Sequence, residues 1–178
     1  MKKKNLFLLA GLTAMLTGCF GTRYTSEVVS TQNNTSIEVK QTLSLANRDD
    51  GAGKFTLTTK SYESYPDGYF KGFLGIGEVE GAVEYKVSGT ESGNWTINSD
   101  TNVVTLETYK IVMKIEFKGD GAEDYKDIME PILAASYGED NAQALVAGER
   151  VTIEYEEGKA FKSYCKLDET NKTFKAIL

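Results

Sequence analysis

The chain has 178 residues, with 20 basic against 26 acidic side chains, two cysteines and no histidine. A net charge of −6 speaks against nucleic-acid phosphates as partners, because such sites need basic patches. The missing histidine removes the commonest general base, the commonest transition-metal ligand and every Ser-His or Cys-His nucleophile pair, so composition points away from an enzyme, a metal centre and a cofactor.

Lys2, Lys3 and Lys4 precede an apolar run from Leu6 to Met15, the layout of a signal peptide. The run is too short to span a bilayer, which takes ~20 apolar residues. It closes on Leu16-Thr17-Gly18-Cys19, which resembles the lipobox of bacterial lipoproteins. The resemblance implies cleavage before Cys19, a diacylglyceryl group on its sulfur and an acylated amino group. Two or three acyl chains hold durably where one does not, since each buried methylene adds about 0.8 kcal/mol. In that family an Asp after the cysteine favours the inner membrane. Phe20 stands there instead, which implies the outer membrane of a bacterial cell envelope.

On this reading residues 1–18 are the signal peptide, 19–26 a lipidated tether and 27–178 a single β-rich domain of ordinary size. The mature chain keeps 17 basic and 26 acidic groups, a net charge of −9. With Cys19 acylated, Cys165 has no partner for an intrachain disulfide.

Period-two alternation dominates the domain. Ile37, Val39, Leu43 and Leu45 share a face opposite Glu38, Lys40, Thr42 and Ser44. Phe55 and Leu57 alternate with threonines; Val79, Val83, Tyr85 and Val87 with Glu78, Glu80, Glu84 and Lys86. Ile111, Met113, Ile115 and Phe117 alternate with lysines and Glu116, and Val151, Ile153 and Tyr155 with Thr152, Glu154 and Glu156. Such strands have one wet face, as in antiparallel sheet. Turn chemistry falls at Asn33-Asn34, Asp49-Asp50-Gly51, Pro66-Asp67-Gly68, Ser92-Gly93-Asn94, Asn98-Ser99-Asp100, Glu157-Gly158 and Asp168 to Asn171. The pattern predicts a mainly β protein, an up-and-down barrel or sandwich of about ten strands.

A helical insertion near residues 123–147 interrupts the strands. Tyr125, Ile128, Met129, Ile132 and Leu133 recur at helical spacing behind Glu123 and Asp124, and Pro131 is expected to kink or restart the helix. A second helix is expected from Asn141 to Ala147, capped by Asp140 and stopped by Gly148. The insertion reads first as a plug on one barrel end or a layer on a sheet, and second as a mobile gate.

Several motifs invite chemistry. Gly72, Gly75, Gly77 and Gly81 do not keep nucleotide-loop spacing and open no helix. Asn98 to Asn102, and Asp120 with Glu123 and Asp124, supply too few oxygens for calcium and double as a hairpin loop and a helix start. Glu78 and Glu80 share a face but carry no further sign of a carboxylate pair. Cys165 has the parity of Phe161 and Leu167 and reads as a small core residue.

Ala82 to Gly89, then Gly93-Asn94-Trp95-Thr96-Ile97, then Asn102 to Leu106 is similar to a repeating element of bacterial lipocalin-like domains. The resemblance covers about 25 residues and chemistry common to many sheets, and the helical insertion departs from the family's simplest pattern. It implies binding of a small hydrophobic ligand inside a barrel, with Trp95, Tyr85, Phe117 and Met113 as lining residues. The leading expectation is thus a non-enzymatic, lipid-anchored envelope protein carrying such a ligand. The alternative is an interaction or structural module that docks to an envelope protein complex or a surface glycan through its outer face.

Overall fold

The computed structural model describes residues 21–70, 79–156 and 158–177. Cys19, Glu78 and the glycines from Gly72 to Gly77 lie outside the described residues. Among the described residues there are eight strands: β1 (Thr22–Gln32), β2 (Thr35–Leu45), β3 (Ala52–Tyr65), β4 (Val83–Asn98), β5 (Val103–Lys118), β6 (Arg150–Glu154), β7 (Phe161–Asp168) and β8 (Thr173–Ile177). Two helices, α1 (Ala122–Tyr137) and α2 (Glu139–Val146), lie between β5 and β6.

β1 to β5 form an antiparallel meander. β7 pairs with β5, β8 with β7, and β8 meets β1 in parallel, so seven strands close a barrel and β6 lies beside β5 outside the ring. This architecture is compatible with a lipocalin-like barrel. Eight strands stand where about ten were expected. One reason is visible in β4, which runs unbroken through Ser92-Gly93-Asn94, a stretch that reads as a turn. Gly93 is there for closeness: a Cβ on it would lie 1.9 Å from the Glu107 carbonyl oxygen.

The same place carries a bulge. Gly93 pairs with Thr108 but Ser92 pairs with Lys110, so Tyr109 is the extra residue on β5. The bulge shifts parity from Val104, Leu106 and Thr108 to Ile111, Met113 and Ile115, all buried, and keeps one apolar face continuous along a 16-residue strand. Asn33 and Asn34 close the β1–β2 hairpin with φ of 50° and 62°, the two-residue turn whose twist suits the flanking strands.

The barrel is closed over only part of its height. β5 shares one edge between β7, opposite Val103 to Thr108, and β6, opposite Lys110 to Lys114. β1 meets β8 at one register pair, Thr25 with Thr173. Tyr24, Leu43, Leu45, Phe55, Leu57, Trp95, Val104, Leu106, Cys165, Leu167 and Phe174 fill the closed end. Tyr24 is fully buried, so the stretch read as tether up to residue 26 already belongs to the first barrel strand.

Above the closed end β1 to β6 continue as a paired sheet with no pairing between β1 and β6 among the described residues, and the helices lie on the inner face of β4 to β6. Leu133, Ala142 and Leu145 pack with Ile111, Met113, Ile115, Val151 and Ile153. α1 continues through Pro131 without restarting. Pro131 and the Asp127 whose carbonyl loses its partner are both exposed, so the proline lies on the face of the helix where the freed carbonyl is open to solvent. α2 starts at Glu139 after Gly138, with no side-chain cap, and Asp140 sits inside its first turn. Gly148, at φ 79°, follows its end as expected.

Candidate functional site

The four residues read from the sequence as ligand-lining occupy one continuous inner face but three packing environments. Trp95 is 1% exposed in the closed-end core, and its indole Nε1 donates to the Ala46 carbonyl at 3.0 Å. Gly53 and Gly93 bring the backbone against this core: a Cβ on Gly53 would lie 3.1 Å from Trp95 Nε1, and one on Gly93 would lie 3.0 Å from the Phe55 ring. Met113 pairs with Gly89 and Val151 and lies beneath the helices. Tyr85 and Phe117 are brought together by register, with ring centroids 6.1 Å apart.

Those two rings belong to a larger aromatic cluster. Tyr125 from α1 stands 5.7 Å from Tyr85 and 6.1 Å from Phe117. Phe70 stands 4.9 Å from Tyr125 and from Tyr65, and Tyr69 lies 4.7 Å from Tyr65. Such spacings are those of packed aromatic pairs. Their polar ends converge on Glu63: the Tyr65 hydroxyl donates to its Oε2, and Tyr85 hydrogen-bonds to the same carboxyl. Burial, the Glu63 hydrogen bond and its charge all push the Tyr65 and Tyr85 phenols upward, and burial with the Glu63 charge raises Tyr125 to about 12. These hydroxyls stay protonated near neutrality and act as donors, not bases.

A second inward carboxyl lies lower on the same face. Glu91 accepts a hydrogen bond from the fully buried Thr108 hydroxyl at 3.1 Å, and burial raises its pKa against that bond. Glu63 is opposite Tyr85, six residues along β4 from Glu91, about 20 Å in extended chain. That separation is far beyond the reach of a two-carboxylate glycosidase pair. Among the described residues no group of three His, Cys, Asp or Glu side chains could hold a metal ion. Asn98 caps its own turn, accepting from the Asp100 and Thr101 amides, and Asp124 accepts from the Glu80 amide.

Four clefts among the described residues lie elsewhere. One of about 350 Å³ is on the outer face of β2 to β5, one of about 580 Å³ beside β7 and β8, one of about 470 Å³ between α1 and α2, and one of about 160 Å³ near Tyr69. None of these four is lined by Trp95, Tyr85, Phe117 or Met113.

The feature that sequence reasoning missed is the upper edge of β1. Ser26 to Gln32 pair with β2 on one side and, among the described residues, with no strand on the other. The Thr25 amide points outward to the Lys172 carbonyl at 2.9 Å. By ladder alternation Glu27, Val29 and Thr31 turn their N–H and C=O the same way. Val28 is 54% and Val29 62% exposed, on opposite faces of this strand. The signal in the sequence is a near-neutral β-branched run ending at Asn33-Asn34, but the missing neighbour is a property of topology. Comparison with protein families, with curated proteins and with solved structures finds no match to this chain.

Proposed function

We propose that the chain is a lipid-anchored, non-enzymatic cell-envelope protein whose barrel is an interaction module, docking an extended segment of a partner protein along the upper edge of β1. One observation carries this reading: three outward-facing backbone donors and three acceptors lie beside the exposed Val28 and Val29. Among the described residues no strand pairs with this edge, and such an apolar edge is a template for strand addition, in which main-chain bonds give affinity and alternate side chains give specificity. The carrier reading has weaker support. Trp95 is spent on the closed-end core, and the faces of Tyr85 and Phe117 are taken by Tyr125 and by each other.

Photo-crosslinking in cells tests the docking edge. A photoreactive residue at position 29 or 31 is expected to give one discrete protein adduct, and one at position 56 on β3 none. Val29→Pro combined with the photoreactive residue at position 31, which removes an outward donor and leaves the β2 ladder intact, is expected to abolish the adduct without altering the melting temperature. Equal adducts at all positions, or stoichiometric lipid released from the native protein, would overturn the reading in favour of a carrier. The anchor is tested separately: a fatty-acid probe should label the wild type, and Cys19→Ser should leave the membrane.

A further inference from the structure

The outer face of the sheet carries a charge arrangement that extends well beyond the docking edge. Register aligns Glu27, Lys40, Lys60, Ser88, Lys114 and Arg150 in one row across β1 to β6. The neighbouring row is Glu38, Tyr62, Lys86 and Glu116. Lys40 and Lys60 stand directly opposite each other, a like-charge pair that costs stability. Lysines often guard sheet edges, but β2 and β3 are interior strands, so that purpose does not account for them.

Part of this charge is neutralised and part is not. Lys40 bridges Glu38 at 2.5 Å and Glu27 at 3.4 Å, and Lys114 holds Glu116 at 2.6 Å. Lys86 Nζ lies 5.4 Å from the centre of the Tyr62 ring. Lys60 and Arg150 make no ion pair among the described residues. Between these side chains runs the groove of about 350 Å³, lined by Lys40, Lys60, Lys86, Tyr62, Ser88 and Glu116 among others.

We infer that this groove binds an acidic sugar, a carboxylate-bearing or phosphate-bearing saccharide unit whose anion sits between Lys60 and Lys86. Cations, a hydroxyl and a tyrosine ring meet in a space at the small end of ligand-pocket sizes. The cationic strip is local, on a chain of net charge −6. Two carboxylates, Glu38 and Glu116, also line the groove, but each is bridged to a lysine, Lys40 and Lys114. A compact anion between Lys60 and Lys86 therefore meets less uncompensated negative charge than a bilayer or a long phosphate polymer spread over the acidic surroundings would. The groove adjoins the β1 edge, since Val29 lies opposite Glu38 in its wall, but it rests on Lys60 and Lys86 of β3 and β4, whose substitution tests it apart from the docking reading.

Isothermal titration at low salt with digalacturonic acid as probe, and cellobiose as its neutral counterpart, tests the assignment. Saturable binding of the acidic disaccharide alone is expected, weakened about tenfold or more in the Lys60→Gln/Lys86→Gln double variant, about 1.4 kcal/mol. Lys175→Gln on β8 should bind as the wild type does. The inference is overturned if the acidic disaccharide fails to bind or binds the double variant equally. Inorganic phosphate binding as tightly as the disaccharide would overturn the sugar assignment. Adsorption to anionic vesicles without disaccharide binding would assign the strip to a membrane surface instead.

Discussion

Arg48 and Glu169 are 121 positions apart, and the Arg48 Nη2 donates to Glu169 Oε1 at 2.6 Å. The Tyr24 hydroxyl joins them, donating to Glu169 at 2.9 Å and accepting from Arg48 Nε at 3.3 Å, while Lys172 bridges the other carboxylate oxygen at 2.9 Å. The group ties the turn after β2 to the β7–β8 turn, at the seam where β1 and β8 share one register pair. It is the polar clasp of the closed end.

That clasp predicts an acid-sensitive barrel. Burial works against ionisation of Glu169, but hydrogen bonds from Lys172, Arg48 and Tyr24 outweigh it and hold its pKa down at about 2. A depressed carboxyl contributes stability above its unfolded value near 4.5 and loses it as pH falls toward 2. With the Glu169 side chain 38% exposed, solvent screening limits the effect to about 1 kcal/mol. Urea titrations should show Glu169→Gln less stable than wild type at pH 7 by that amount, and equal to it near pH 2.

Glu91 predicts the opposite slope. Burial raises its folded pKa despite the Thr108 hydrogen bond, so the stability it allows is full below the unfolded value and declines as pH rises. Glu91→Gln should melt higher than wild type at pH 7 and alike at pH 4. Thr108→Val, which strips the buried carboxyl of a donor, should lower stability at pH 7 by about 1 kcal/mol or more.

Cys165 is 3% exposed and burial lifts its thiol to about 11. In the Cys19→Ser protein, where one thiol can be followed, a disulfide reagent at pH 8 should leave the folded protein unlabelled and react fully in denaturing urea. Rapid labelling of the native state would place the side chain outside the core.

Gly93→Ala should be among the most damaging single-methyl changes in the chain. The added carbon meets backbone at 1.9 Å and the Phe55 ring at 3.0 Å, and backbone cannot rotate away as a flexible side chain can. A loss of about 3 kcal/mol is expected, at the upper end for overpacking, read as a lower urea midpoint.

Strand identity was largely legible, because alternation such as Ile111, Met113, Ile115 and Phe117 records a half-buried sheet without reference to partners. The helical insertion was legible for the same reason at a different period. Ser92-Gly93-Asn94 misled because a glycine needed for close backbone approach looks the same, in sequence, as one needed for a turn. Pro131 misled because its cost depends on whether its face of the helix is wet. The site was less legible. Of the four residues read as ligand-lining, Tyr85 and Phe117 are neighbours, while Trp95 lies in a different core. The lysine row, and a β1 edge with no partner strand among the described residues, arise only when distant strands take register, which no local pattern encodes.

β1 begins three residues after Cys19, and three Cα steps of about 3.8 Å reach at most about 11 Å. Acylation there would leave almost no leash. The start of β1 would be held within about 11 Å of the lipid, and the domain would drift only laterally within its leaflet. Any neighbour that engages it would then have to offer its contact close to the same leaflet.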